Sequence, residues 1–443
     1  MTTLTAEIDW HKYVGAIENC SRMVQAGRIV KVSGIVAEAN GPGLSIGSLC
    51  IIQNDQGEDI ETEVVGFRDN RVIVMPLGDL IGIKPGSKIV HKTNKATVPV
   101  GDVFLGRVID GLGHPLDSLH PIKANLEYPL YGNRLNPLKR NIIDDVLDVG
   151  VKSINVFNTI GKGQRIAIMA GSGVGKSVLM GMIARNTTAD VSIIALIGER
   201  GREVREFVER NLGADGLRKS IVVVATSDMP ALVRIRGAYT ATALAEYFRD
   251  QGKDVLLIMD SITRYAMSLR EVGLAAGEPP SAKGYTPSVF NQLPKIMERA
   301  GTVEHKGSIT GIYNVLVEGD DMNEPIADAV RSIVDGHVVL SRTLAHKGHY
   351  PAVEPLASIS RVMTDIVEPD HLEMAREFRR TLSVYRDAED LINIGAYVDG
   401  SDPEIDYAKS KIQAMNAFLQ QGVDERVSFA DSLVQFEHLM SEN

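Results

Sequence analysis

Residues 165–177 read RIAIMAGSGVGKS, which is the strongest structural signal in the chain. An apolar run suited to a buried strand is followed by a glycine-rich turn, by Lys176 and Ser177, and then by a helical pattern. The glycines let backbone N–H groups turn inward without obstruction by a Cβ atom, so these amides and the helix N-terminus can form a cradle for an anion. The residues predicted to hold phosphate groups are Gly171, Ser172, Gly173, Val174, Gly175, Lys176 and Ser177.

The loop predicts a magnesium nucleotide as the ligand. Lys176 can reach the β- and γ-phosphates, and the Ser177 hydroxyl can take one Mg²⁺ coordination position. The usual pattern, GxxxxGK[ST], begins with glycine, whereas this chain has Ala170 at that position. If Ala170 is the last strand residue, it needs no positive φ, and the departure from the pattern is mild.

Two acidic residues follow apolar runs and complete the predicted site. Residues 254–260 read DVLLIMD, and Asp260 would supply the second Mg²⁺ contact. Glu199 ends the run VSIIALIGE, 23 residues after Lys176. Because adjacent parallel strands end at one edge of a sheet, Glu199 could polarise a water molecule against the γ-phosphate. The alternative for Glu199 is a solvated carboxylate within a charged run.

Length and composition exclude several classes of protein. The chain has 443 residues, which suggests about three domains, and its formal charge is −10 from 47 basic and 57 acidic residues. This charge argues against bulk affinity for nucleic acid. Cys20 and Cys50 form no CxxC motif, so neither a disulfide framework nor a zinc site is expected. No apolar run approaches the ~20 residues of a membrane span, and no signal peptide is evident, so we expect a soluble cytoplasmic protein.

The chain divides into three zones that differ in their residue patterns. Residues 1–95 hold short β-type runs punctuated by glycine, which predicts a small barrel. Residues 96–364 alternate apolar strands with helical patterns, which predicts an α/β fold with a doubly wound parallel sheet. Residues 365–443 read as a helical domain. The predicted strands of the central zone are 165–170, 191–197, 220–225, 254–260, 308–317 and 336–341.

An amphipathic helix is predicted within the first 25 residues. Its apolar face is made by Trp10, Tyr13, Val14, Ile17, Cys20 and Val24. This face would dock on the chain's own barrel or on a partner or membrane surface. The opposite face mixes both signs of charge, which argues against a purely electrostatic membrane anchor.

Several segments resemble the F1/V-type ATPase alpha/beta superfamily, and most closely its type III secretion ATPases, including the flagellar export branch. GERGREVREF and GEPPSAKGYTPSVF are similar to the export branch, whereas rotary β subunits typically read GERTREGND at the first of these. The segments that carry the resemblance are GRVIDGLGHPLD (106–117), AGSGVGKS (170–177), IGERGREVREF (197–207), LLIMDSITRYA (256–266), GEPPSAKGYTPSVF (277–290) and YPAVEPLASISR (350–361).

The resemblance implies a RecA-like central domain, with ATP and Mg²⁺ as ligands, and roles at matching positions. Glu199 would be the catalytic glutamate with Arg200 beside it, and Asp260 would be the Walker B acid. Tyr350 would stack on adenine, the alternative being a core tyrosine. Arg361 would be an arginine finger in the neighbouring subunit's site, the alternative being an ion pair within its own subunit.

The implied function is Mg-dependent ATP hydrolysis that energises type III protein export, with the flagellar branch favoured over the injectisome branch. A homohexamer is implied, together with a stator-like negative regulator, a coiled-coil stalk protein, a membrane export gate and complexes of export chaperones with their substrates. The implied location is the cytoplasm, peripherally associated with the inner membrane at the export apparatus.

Three alternatives remain at this point: a rotary ATP synthase catalytic subunit, a hexameric RNA motor of the Rho type and a nucleotide-binding subunit that does not hydrolyse. The two export-type segments argue against the rotary subunit, and the acidic charge argues against the RNA motor. The presence of Glu199 argues against a subunit that does not hydrolyse. The chain also departs from the superfamily in VLDVGVKSIN (146–155) and at Glu354, where aspartate is usual. Glu354 could lengthen a contact between subunits.

Overall fold

The computed structural model describes residues 26–41, 43–54, 57–132 and 135–441. The helix predicted within the first 25 residues lies outside this part of the chain. The described residues divide into two compact units, of which the first ends at Ala96 and the second begins at Thr97.

The first unit is the predicted barrel. Its strands close in the order β1-β2-β5-β4-β3-β6 around an apolar core that includes Ile52, Val64 and Val74. Residues 28–38 form one β-type run in the sequence, but the structure divides them between two strands, because the chain turns at Gly34 with a φ of 58°. The strands are β1 (Ala26–Ser33), β2 (Val36–Asn40), β3 (Leu49–Gln53), β4 (Asp59–Arg68), β5 (Arg71–Pro76) and β6 (Lys88–Thr93).

The second unit is built on the predicted doubly wound sheet. Its strand order is β19-β18-β12-β17-β15-β13-β14-β8, with β19 antiparallel to β18 at one edge and β16 pairing with β17 off this path. The strands of the sheet are β8 (Val108–Asp110), β12 (Arg165–Ala170), β13 (Val191–Ile197), β14 (Ser220–Ala225), β15 (Asp254–Asp260), β16 (Gly301–Thr302), β17 (Ser308–Leu316), β18 (Gly336–Leu340) and β19 (Ile359–Ser360). Short pairs also form between β7 (Thr97–Val100) and β9 (Leu126–Pro129), and between β10 (Val146–Leu147) and β11 (Ile160–Gly161).

The central strands of the sheet are buried along their length rather than at alternate positions, as expected where helices cover both faces. Every residue of β13 and of β14 is buried. The helices of this part are α1 (Lys152–Phe157), α2 (Lys176–Asn186), α3 (Gly201–Glu206), α4 (Gly213–Arg218), α5 (Ala231–Asp250), α6 (Ile262–Ala276), α7 (Pro287–Met297), α8 (Pro325–Ile333), α9 (Arg342–His346) and α10 (Met363–Ile366). A π-helical turn, Phe207–Leu212, connects α3 to α4.

The C-terminal residues form the predicted helices α11 (Pro369–Asn393), α12 (Pro403–Leu419) and α13 (Phe429–Ser441). They pack on α1 through a cluster of aromatic rings, in which Phe157 lies 4.5 Å from Phe378 and 5.3 Å from Phe436 between ring centroids. This helical part and the sheet belong to the same compact unit, and the boundary near residue 365 stays a prediction.

The divergent segment 146–155 makes part of this junction. Asp148 accepts hydrogen bonds from Asn155 and from the backbone N–H of Phe429, at 2.9 and 3.0 Å. The buried Lys152 places its ammonium 5.6 Å from the centre of the Phe418 ring. These residues therefore attach the C-terminal helices to the sheet.

Candidate nucleotide site

The phosphate loop lies at the carboxyl end of β12, an inner strand of the sheet between β18 and β17. β12 ends at Ala170, and α2 begins at Lys176. Gly173 and Gly175 have φ values of 79° and 88°, in the left-handed region that favours glycine. Because Ala170 is the last strand residue, the departure from the usual loop pattern needs no unusual backbone there.

Three charged side chains meet where β12, β13 and β15 end. Lys176 Nζ donates a hydrogen bond to Asp260 Oδ1 at 2.6 Å and lies 4.0 Å from Glu199 Oε1. All three side chains are shielded, with exposed fractions of 12% for Lys176, 3% for Asp260 and 14% for Glu199. Each of them lies at or beyond the carboxyl end of a different strand, and the parallel sheet brings the three together.

Burial controls the protonation of Glu199. Removal of its carboxyl group from water raises the pKa, and the neighbouring negative charge of Asp260 raises it further. The ammonium of Lys176 acts in the opposite direction, and the pKa of Glu199 lies at about 7. A carboxyl group with this pKa can exchange a proton near neutral pH.

A cavity of about 570 Å³ opens beside these residues. This volume falls in the range of small-molecule and cofactor sites. Gly171, Ser172, Gly173, Gly175, Lys176 and Ser177 line it, as do Glu199 and Arg200. The wall also contains Glu203, Thr263, Arg264, Val317 and Arg342.

Arg264 is a cavity residue that the sequence analysis did not single out. It lies in the first turn of α6, four residues after Asp260, and its Nε is buried without a hydrogen-bond partner in the described part of the chain. Its stem packs on Gly198, where a Cβ atom would lie 2.9 Å from the Cβ of Arg264. Its spacing from Asp260 could have identified Arg264 from the sequence. The first turn of a helix that directly follows a strand lies at the sheet edge where that strand ends.

Tyr350 lies next to the phosphate loop. A Cβ atom on Gly175 would lie 3.3 Å from the Tyr350 ring, and the tyrosine is 44% exposed. Its backbone carbonyl accepts a hydrogen bond from the Gln421 N–H, which connects this segment to the C-terminal helices. An exposed ring beside a phosphate loop offers a flat surface to a base.

Arg361 lies at the opposite end of β18 from the loop. It follows β19, whose Ser360 pairs with Gly336 at the start of β18, whereas the loop lies beyond the end of that strand. Arg361 is exposed, and it forms no ion pair with the described residues. The structure therefore does not bring Arg361 together with Lys176, Asp260 and Glu199 of the same chain.

Glu354 has its partner within the same chain. It is 8% exposed, and Arg386 of α11 donates a hydrogen bond to its Oε2 at 2.8 Å. The carboxylate of Glu354 therefore contacts the C-terminal helices of its own chain, and the contact between subunits suggested by the sequence stays a prediction. Tyr285, in the segment 277–290, is also buried in its own chain, at 2% exposed, beside Arg270.

The described residues contain no helix with the length and apolar character needed to cross a bilayer. They also contain no cluster of three or more histidine, cysteine or acidic side chains suited to hold a metal ion.

The chain matches family models over each of its three zones. Residues 29–92 match the β-barrel domain of the ATP synthase alpha/beta family, and residues 150–360 match the nucleotide-binding domain of that family. Residues 367–438 match the T3SS EscN ATPase C-terminal domain.

Individual relatives extend the similarity to nearly the whole chain. The Flagellum-specific ATP synthase of Bacillus subtilis (strain 168) is 52% identical over 434 residues, which cover 96% of this chain and 98% of the relative. The assembled ATPase EscN of the enteropathogenic E. coli type III secretion system has a TM-score of 0.89 and 44% identity, covering 94% of this chain and all of EscN. EscN in complex with its central stalk EscO gives a TM-score of 0.86 and 42% identity with the same coverage.

Proposed function

Because the chain belongs to the ATP synthase alpha/beta family and is an ATPase, we propose that it hydrolyses magnesium ATP to energise type III protein export in the flagellar branch. The meeting of Lys176, Asp260 and Glu199 beside the phosphate loop carries the enzymatic part of this proposal. The flagellar branch is supported by the relative from Bacillus subtilis, which is 52% identical, against 44% for EscN. The export-type C-terminal domain argues against a rotary subunit.

Different groups of the chain would bind different parts of the nucleotide. Backbone amides of residues 171–175 and the N-terminus of α2 would receive the phosphate oxygens. Lys176 would exchange part of its contact with Asp260 for the β- and γ-phosphates. The exposed ring of Tyr350 would stack on adenine, which holds a flat base without strict readout.

The two donors beside the phosphate loop fit a magnesium ion that arrives with the nucleotide. Asp260 offers a carboxylate and Ser177 a hydroxyl, and Mg²⁺ is usually held by one or two such ligands together with substrate phosphates and water. When bound, the ion would neutralise charge on the β- and γ-phosphate oxygens.

Glu199 would orient the water molecule that attacks the γ-phosphate. Its carboxylate would accept a hydrogen bond from that water and hold it in line with the bond that breaks. Arg200, which follows it and lines the same cavity, would stabilise negative charge on the transferred group. The exposed Arg200 side chain contacts Glu203 in this structure, at 3.3 Å, and is free to turn toward a ligand.

The value of kcat/KM for ATP hydrolysis is expected to fall as the pH drops through about 7. This parameter reports ionisations of the free enzyme, and burial raises the pKa of Glu199 to about 7. Only the carboxylate form can accept the hydrogen bond from water, so activity is present above this pKa and decreases about tenfold per pH unit below it. A steady-state pH profile measures this effect, and a profile that stays flat on both sides of pH 7 contradicts it.

A ring of identical chains would complete each site. Glu199 and the exposed Arg361 lie at separate places on one chain, so a head-to-tail ring can place Arg361 of one subunit at the site of the next. We infer a homohexamer, supported by the similarity to assembled EscN. The complex of EscN with its central stalk EscO supports a stalk protein as partner. We propose that this partner is a coiled coil and that the C-terminal helices contact it.

The remaining partners and the domain limits are part of the same proposal. We propose a stator-like negative regulator, a membrane export gate and chaperone–substrate complexes as partners, at the cytoplasmic side of the inner membrane. The domains are proposed to span residues 1–95, 96–364 and 365–443.

A strain of the source organism that lacks this chain is expected to stop releasing flagellar subunits into the medium and to lose its filaments. The unaltered chain should restore both, whereas Lys176→Ala should restore neither, because the phosphate contact is lost. Lys306→Ala is a matched control, since Lys306 is exposed and pairs with the half-buried Asp250. Normal filaments together with loss of another set of secreted proteins would favour the injectisome function.

A further inference from the structure

The phosphate loop is crossed by an ion pair that comes from the two strands beside it. β12 lies between β17 and β18, and Ala170 at its end is in register with Leu316 of one neighbour and Leu340 of the other. The chain beyond β17 carries Asp320, and the chain beyond β18 carries Arg342. Each charged residue therefore reaches the start of the loop from a different side.

The two side chains meet directly over Gly171. Arg342 Nε donates a hydrogen bond to Asp320 Oδ2 at 3.0 Å, and Nη2 donates to Oδ1 at 3.4 Å. A Cβ atom on Gly171 would lie 2.5 Å from Arg342 Nη2 and 2.6 Å from Asp320 Oδ1. The pair thus occupies the space in which any other residue at position 171 would place its side chain.

The surroundings of the pair point to a role in the loop rather than in the core. Arg342 lines the nucleotide cavity, but its guanidinium is already engaged by a carboxylate. Asp320 has a φ of 60°, a conformation that few residues other than glycine adopt. The side chains are 40% and 49% exposed, and ion pairs at such exposure contribute little to overall stability.

We propose that the Asp320–Arg342 pair is a strap that holds the first residue of the phosphate loop in its phosphate-binding position. This inference rests on the proposed ATP site. Ser172 and Gly173, which follow Gly171, are exposed and lack packing on their outer side, so contact at Gly171 limits how the loop can move. Asp320 and Arg342 are positioning residues, because they act on the phosphates through the loop backbone.

The strap is tested by Asp320→Asn, which keeps the size of the side chain while removing its charge, and by Arg342→Gln, which removes the charge and keeps a shorter polar side chain. Both variants are expected to lower kcat/KM for ATP about two- to fivefold, because an exposed ion pair can bias the position of the loop by no more than its own modest free energy. Their thermal unfolding midpoints should stay at the value of the unaltered chain. The double variant that exchanges the two charges, Asp320→Arg with Arg342→Asp, should restore part of the activity. The matched control is Asp399→Asn, which removes a carboxylate from an exposed ion pair with Lys409.

Gly171→Ala gives a second, independent test. The φ of Gly171 is not positive, so alanine is compatible with the backbone, but its Cβ would displace the strap. We expect Gly171→Ala to lose about as much activity as Asp320→Asn, and the double variant to lose little more, because both changes remove the same contact. Additive losses would contradict the strap.

The outcomes separate this inference from the proposed function. Binding of a fluorescent ATP analogue in the presence of Mg²⁺ to the unaltered chain tests the proposed site itself, and no binding there would overturn the proposed function. A second outcome would overturn the strap but not the proposed function. In it, the unaltered chain binds and hydrolyses ATP, Asp320→Asn keeps full activity and Arg342→Gln loses it. Arg342 would then be a direct phosphate ligand. A fall in the unfolding midpoint that accounts for the lost activity would also overturn the strap.

Discussion

Glu199→Gln is expected to bind ATP as the unaltered chain does and to hydrolyse it about 10²- to 10⁴-fold more slowly, the usual contribution of a positioned acid–base group. Glutamine has nearly the same shape as glutamate, so the wall of the cavity is kept. Its amide oxygen is a far weaker acceptor than a carboxylate, and the attacking water loses its orientation. The Lys176–Asp260 hydrogen bond, at 2.6 Å, does not depend on Glu199. Phosphate release under single-turnover conditions measures the chemical step, and a fluorescent ATP analogue measures binding.

Two controls make the result specific to the chemical step. Glu206→Gln removes a carboxylate from the outer face of α3, where its side chain is 58% exposed and pairs with Arg210. This variant should hydrolyse ATP at the rate of the unaltered chain. Lys176→Ala should lose both binding and turnover. If Glu199→Gln hydrolysed ATP normally, Glu199 would not be the residue that orients water, and the site would need another acceptor.

The sequence predicts the central sheet well because its strands carry strong, separate signals. The predicted strands 165–170, 191–197, 220–225 and 254–260 match β12, β13, β14 and β15 residue for residue. Each is an apolar run bounded by polar or glycine residues, and parallel pairing buries both faces. The short edge strand β8, Val108–Asp110, was missed because three residues carry too little pattern to separate them from a loop.

The sequence predicts those site residues whose location follows from their place at a strand end. It does not predict contacts that depend on how separate elements pack together. Lys176 begins the helix that follows β12, Glu199 follows β13 and Asp260 ends β15. The rule that parallel strands end at one edge therefore brings them together. Asp320 and Arg342 also follow strands, but nothing in the sequence shows that they meet over Gly171. The Glu354–Arg386 pair likewise depends on how α11 packs against the segment after β18, which no local pattern encodes.

Arg361→Ala is expected to lower the turnover of assembled rings by about 10³- to 10⁵-fold, the range for an arginine that stabilises transition-state charge. Its position explains why this loss would arise between chains. Arg361 follows β19 at the end of β18 that lies away from the phosphate loop, and it forms no ion pair within the described part of the chain. Phosphate release should be measured on rings whose mass has been verified, so that failed assembly is not mistaken for failed chemistry. Arg376→Ala, on the exposed face of α11, is a control for loss of an arginine.

Mixing two inactive chains tests the direction of this contribution. Glu199→Gln chains still carry Arg361, and Arg361→Ala chains still carry Glu199, so an interface that takes each intact group from a different chain is complete. In a ring assembled at random from equal amounts, roughly a quarter of head-to-tail interfaces are complete, and about that fraction of the unaltered activity should return. If Arg361 acted within its own chain, no site in the mixed ring would hold both groups, and activity would stay at the level of the parents. Mixing Glu199→Gln with a chain that carries both substitutions creates no complete interface, so activity in that mixture would show that the recovery has another cause.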